Sequence, residues 1–189
     1  MKNKLYLFIL LFSFLSCSSD DDQNLTSDPV QQLPEATQVG ANTAGALVNG
    51  EPITPQGGGI TPNLTAYYQL IDGEYFFGIG FFKATNNNTI ISGLNIFSSE
   101  LVIEQNNTYP LIINPSTSEV GAGGAHTKRI LNVSQTFYYT QNGYKGELTI
   151  THLDETNRIV SGTFWFDAVN EDGEVVEVRE GRFDVTYSQ

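Results

Sequence analysis

His126 and His152 are the only imidazoles in the chain, so general acid–base chemistry near neutral pH would fall to them. His126 follows the glycine-rich run Gly121-Ala122-Gly123-Gly124-Ala125, with Lys128 and Arg129 close behind. These are materials for an anion cradle, but the Gly-Lys-Ser/Thr ending of a phosphate-binding loop is missing. The chain that follows also reads as strand rather than helix. A flexible surface loop is the expectation for 121–124. His152 continues the alternation of Leu148 and Ile150, which predicts a half-buried histidine near a strand end. Nucleophilic catalysis needs a Ser, Cys or Thr beside a base, and no Gly-x-Ser-x-Gly segment is present. Acidic residues number 21, too many for spacing alone to single out a glycosidase pair. The expectation is a protein that is not an enzyme, with a glycan hydrolase as the weakest of the readings kept.

Two further clusters carry chemistry. Asp167, Asn170 and Asp172 bring oxygen ligands into one short stretch, as Ca²⁺ prefers, but without the spacing of an EF-hand loop. Asn, Asp and Gly are also what a hairpin turn demands, so the turn reading is preferred and no metal or cofactor is implied. Trp165 alternates out of phase with Val160, Phe164 and Phe166, and Tyr138, Tyr139 and Tyr144 lie on nearby sequence. Trp165, Tyr138 and Tyr144 are therefore candidates for an exposed aromatic face that stacks on a sugar or a protein partner; the competing reading is a face covered by a loop.

The N-terminus supplies an address. Lys2 and Lys4 precede Leu5–Leu15, a run of 11 residues apolar except for Ser13. That is the layout of a secretion signal and is too short to span a bilayer, which takes about 20 apolar residues. Ser16-Cys17 follows directly and resembles a bacterial lipobox, which implies a signal peptide over 1–16 and lipidation of Cys17, the only cysteine. Ser19 and Asp20-Asp21-Asp22 come next and resemble the export signal of Bacteroidota surface lipoproteins. The implied location is the outer membrane, anchored through Cys17 and facing the cell surface, with a periplasm-facing protein as the alternative. Residues 17–37 read as an acidic, proline-containing tether, and a single domain is expected over 38–189. The formal charge is −12, and losing Lys2 and Lys4 with the leader takes it to −14. Such a surface repels phosphate backbones and excludes nucleic acid as a partner.

The elements that must position any site read as antiparallel strands. Asp72-Gly73 predicts a two-residue hairpin turn pairing Ile71 with Glu74, Leu70 with Tyr75 and Tyr68 with Phe77. Alternation then places Ala66, Tyr68, Leu70, Tyr75, Phe77, Ile79 and Phe81 on a core face, with Tyr67 across from Gly78 on the other. A three-stranded meander is expected over 144–187, with turns at Asp154–Asn157 and Asn170–Gly173 and a bulge at Gly181, where the apolar phase changes. Further strands are expected near 89–98, 100–105, 126–133 and 136–141. No window sustains a 3.6-residue apolar period. The fold class is all-β, an antiparallel two-layer sandwich or barrel.

Residues 40–50 (GANTAGALVNG), the strand GELTITHLD at 146–154, Ile159–Phe166 (IVSGTFWF) and Glu180–Val185 (EGRFDV) resemble the landmarks of a family of Bacteroidota lipoproteins of unknown function. These are its G-A-N-T-x-G-x-x-V-N-G start and its closing S-G-T-F-x-F and G-x-F-D strands. The resemblance implies a surface lipoprotein with a β-domain and carries no catalytic residues with it. Two functions are expected of such a protein. One is a non-catalytic binding or accessory module for a glycan, peptide or other ligand; the other is a structural envelope lipoprotein acting through protein contacts.

Overall fold

The turn at Asp72-Gly73 has φ values of 53° and 93°, as a type I′ hairpin requires. It joins β3 (Leu64–Ile71) to β4 (Glu74–Thr85) in the expected register, from Ile71 opposite Glu74 through Tyr67 opposite Gly78. A Cβ at Gly78 would run into the Tyr67 ring, so the aromatic side chain covers a residue that has none. Tyr68, Phe77, Ile79 and Phe81 are buried as predicted. Leu70 is not: it lies near the hairpin tip, beyond the packed part of the strand, and is 59% exposed.

The computed structural model describes residues 28–114, 116–117 and 119–189. The remaining strands are β1 (Thr43–Val48), β2 (Glu51–Ile53), β5 (Ile90–Ser99), β6 (Thr108–Pro110), β7 (Gly121–Ile130), β8 (Ser134–Tyr139), β9 (Gly146–Asp154), β10 (Ile159–Val169) and β11 (Val175–Thr186). Pairing divides them into two layers. One runs β3-β4-β5-β7-β8 and the other β2-β1-β11-β10-β9-β6, all antiparallel. Phe77 meets Phe183 and Phe81 meets Phe164 across the interior, with ring centroids 6.3 and 6.5 Å apart. Hydrogen bonding continues around the corners. Tyr139 pairs with Val169, the Ile113 amide donates to the Ala122 carbonyl, and Ser188 exchanges hydrogen bonds with Ala66 and Tyr68 of β3. The architecture is a sandwich whose layers are stitched together, an all-β fold as expected.

The meander over β9, β10 and β11 is present. Its bulge lies where the phase change placed it: Phe164 faces Gly181, yet Phe166 faces Val178. The left-handed residue there is Glu180 (φ 54°) rather than Gly181. Gly181 is needed for a different reason, since the Phe164 ring occupies the space a Cβ would take.

Four expectations need correction. Residues 100–105 are not a strand; Ile103 is buried among the core residues, the Leu101 amide donates singly to Tyr75, and the short strand of this region is β6. Gly121–Gly124 is the buried start of β7, not a surface loop. Phe97 and the Ile113 carbonyl lie against Gly123 and Phe166 lies against Gly124, so these glycines make room for packing. The strand expected at 126–133 ends at Ile130, because Asn132 turns the chain with φ 60°. Finally, residues 28–37 of the expected tether pack on the domain. Asp28 caps a 3₁₀ turn at Pro29–Gln32, Leu33 is buried, and Pro34 lies against Gly45. Residues 1–27, with the expected signal peptide, Cys17, Ser19 and Asp20–Asp22, lie outside the described residues.

Candidate functional site

The outer face of the β4-β5-β7-β8 layer is built of cross-strand rows. Phe82, Gly93, Thr127 and Phe137 stand opposite one another in sequence across the four strands. The next row is Gly80, Asn95, Ala125 and Tyr139. On the other side, Ile91, Arg129 and Gln135 continue the pattern. The result is a trough with small residues along its floor. Phe82 forms one wall, and Phe137 and Tyr139 form the other. Three strand spacings separate the walls, roughly 14 Å.

Two adjoining hollows make up the trough. The one beside Phe82 has a volume of about 480 Å³ and includes Asn95, Thr127, Arg129 and Gln135. Its far side is the 56–63 segment, held by the Gly58 amide on Asn88 Oδ1 and by the Phe82 amide on the Asn63 carbonyl. Arg129 is its only charged lining residue, in a protein with 21 carboxylates. The other hollow, also about 480 Å³, lies along β8 and carries Gln135, Phe137, Tyr139, Glu171 and Asp172. Phe137 and Tyr139 present nearly parallel rings, 5.9 Å apart and inclined by 7°. Burial and then the neighbouring Glu171 push the Tyr139 hydroxyl pKa up, so it stays a neutral donor.

Gly93 is informative because packing does not require it. A Cβ there would meet nothing closer than 3.6 Å, an ordinary contact. Glycine inside a strand weakens it by roughly 0.5–1 kcal/mol relative to alanine. At this position its smallness only keeps the floor low.

The residues singled out from sequence are distributed differently. Tyr138 is buried, with its ring against His126 and its hydroxyl donating to Glu174, and so faces away from the trough. The outward-facing aromatics of β8 are its neighbours, Phe137, which is exposed, and Tyr139, which is half-buried. Trp165 lies on the outer face of the opposite layer, sharing a groove of about 420 Å³ with Tyr144, so the structure does bring these two together. One face of the indole is taken by the Arg179 guanidinium, 5.5 Å from the ring centre, and its Nε1 donates to Glu147.

Asp167 is engaged by Arg179 at 2.6 Å. Asn170 Oδ1 accepts the amides of Asp172 and Glu174, which is turn chemistry. Among the described residues no three His, Cys, Asp or Glu side chains converge as a metal site would need. His152 is half-buried. His126 is 4% exposed, and its Nε2 lies 2.9 Å from Ser92 Oγ. Burial, with a smaller contribution from Lys128, lowers its pKa to about 4. It is a neutral core residue of β7.

Sequence reasoning passed over Asp184. Its side chain is fully buried and accepts from Thr37 Oγ1, Ser161 Oγ and the amides of Val39, Gly40 and Ala41. Burial alone would raise the carboxyl pKa, but these donors outweigh it and hold it at about 2. The signal was present as two quoted motifs, since the Gly-Ala-Asn-Thr opening and the Phe-Asp of the last strand are the two halves of one lock.

Residues 69–185, from β3 to β11, match a family described as a domain of unknown function, DUF6252. The chain belongs to this family. The DUF6252 span contains all four strands of the trough and Asp184, and starts after the Gly40–Gly50 segment. Neither the curated proteins nor the solved structures contain a match to the chain.

Proposed function

We propose that this DUF6252 protein is a lipid-anchored envelope protein, held through Cys17 and displayed at the cell surface, whose domain is a non-catalytic binding module. The leader, the Ser-Cys junction and the acidic run after it support the address. The observation that carries the binding reading is the row Phe82–Gly93–Thr127–Phe137, an open trough with a glycine at its floor that packing does not demand. Its volume is in the range of ligand sites. The non-catalytic reading is supported by the state of the groups that chemistry would use: His126 is in the core and Asp184 is saturated with donors.

The test is a thermal-shift screen of the full-length protein in non-ionic detergent against oligosaccharides, peptides and divalent cations. A ligand at one hundred times its Kd stabilises the fold by about 2.7 kcal/mol. The shift should vanish in Gly93→Val, which raises a branched side chain from the floor at a position where a Cβ meets nothing closer than 3.6 Å. A ligand that stabilises Gly93→Val as well as the parent places binding elsewhere and ends this reading.

One observation favours the second reading, a structural lipoprotein acting through protein contacts. Ile90, Leu131 and Val133 are exposed at neighbouring hairpin ends, where the Leu131 amide donates to the Thr89 carbonyl. Sedimentation that shows oligomers dispersed by Val133→Glu would support it.

A further inference from the structure

The geometry points to an extended, neutral or acidic glycan as the ligand of the trough, an assignment that rests on the binding reading above. The four strands of the floor are paired with one another, so the main-chain groups of β5 and β7 are used within the sheet. A peptide that recognises a sheet by adding a strand needs a free edge, and the middle of this face offers none. Over β5 and β7, recognition must come from side chains. Asn95 and Gln135 each hold a donor and an acceptor at one end of a short arm, and Thr127 adds a hydroxyl between them. That set suits vicinal hydroxyls, each of which both gives and takes a hydrogen bond.

The aromatic walls supply the other half of sugar chemistry. A pyranose has a C–H face that lies on an aromatic ring, while its hydroxyls point outward to polar neighbours. Phe137 is 42% exposed, and the two parallel rings of β8 are offered beside polar side chains rather than in an apolar pocket. The trough is broad and runs across strands, which fits several sugar rings in line better than one small molecule. Arg129 is the only charge in the hollow beside Phe82, whereas Glu171 and Asp172 line the one along β8, so a carboxylate-bearing sugar finds a partner only at the Phe82 end of the trough.

Affinity electrophoresis decides the matter. Full-length protein in non-ionic detergent is run through native gels containing laminarin, xylan or polygalacturonate. We expect retardation by at least one of these. Phe137→Ala and Tyr139→Ala should each weaken it tenfold or more, and Gly93→Val should abolish it, with a cooperative melting transition retained in each variant. If polygalacturonate is the ligand, Arg129→Gln should weaken it tenfold and leave the neutral polysaccharides unaffected. Absence of retardation by all three, alongside a peptide whose stabilising effect is lost in Gly93→Val, overturns the glycan assignment while the trough stands. Retardation unaffected by Gly93→Val and Phe137→Ala overturns both.

Discussion

The Asp184 carboxylate accepts a 2.8 Å hydrogen bond from the amide of Gly40, 144 residues earlier in the chain. The same side chain holds Thr37, Val39, Ala41 and Ser161. One buried charge therefore closes the N-terminal segment against the last two strands. It does so with hydrogen-bond donors rather than a cation, which suffices when every lone pair is used.

Asp184→Asn should preserve shape but, whichever way the amide turns, put an NH₂ against at least one backbone N–H that can only donate. Hydrogen bonds to a buried charge are worth about 1.5–3 kcal/mol each, so a net loss of at least about 3 kcal/mol is expected. That corresponds to a fall in melting temperature of roughly 6–12 °C for a domain of this size. Calorimetry of the variant checks it; a melting point within a degree or two of the parent would show that the lock is not needed.

Stability should fall as pH drops from about 6.5 to 4. His126 titrates near 6.5 when unfolded and near 4 when folded. In that window the unfolded chain binds the extra proton, so its stabilising neutrality is present above 6.5 and lost on acidification through 4. The loss amounts to up to about 3 kcal/mol. Urea midpoints measured at pH 7 and pH 4.5 in the parent and in His126→Gln would show the slope removed in the variant. Asp184 acts in the same direction at lower pH, between its usual value near 3.8 and about 2.

Gly124 and Gly93 should respond oppositely to alanine. A Cβ at Gly124 would lie 2.7 Å from the Phe166 ring in the core, and strain of that kind costs roughly 1–3 kcal/mol. Gly93→Ala meets no such obstacle and should be neutral or stabilising by up to about 1 kcal/mol, because it removes freedom from the unfolded chain. Paired denaturant titrations make the comparison.

Cys17→Ala should release the folded protein from the membrane fraction, as the proposed anchoring depends on acyl chains whose buried CH₂ groups contribute about 0.8 kcal/mol each. Deleting Asp20–Asp22 should leave it anchored but shielded from protease added to whole cells. Immunoblots of fractions and of protease-treated cells read both results. A membrane-bound Cys17→Ala protein would contradict the lipobox reading, and unchanged protease access would contradict the export signal.

Much of the fold was legible because its signals are local. Asp72-Gly73 set a hairpin register residue by residue, and the phase change near Gly181 located a bulge, since turn sterics and side-chain alternation act over a few neighbouring positions. The glycine run 121–124 misled for the opposite reason. Glycine marks either freedom or close approach, and the rings that approach, Phe97 and Phe166, come from distant strands.

The sequence by itself determined the β-class, the register of the Asp72-Gly73 hairpin, and the extent and bulge of the meander. Tertiary structure decided which aromatics face outward. In Phe137-Tyr138-Tyr139 alternation cannot say which ring is buried, because all three are aromatic; pairing with β7 sets Tyr138 opposite His126 and turns its neighbours to the trough. The trough itself joins Phe82, Gly93, Thr127 and Phe137, positions up to 55 residues apart. No local pattern links them, because what aligns them is the hydrogen-bond register of four strands assembled at once.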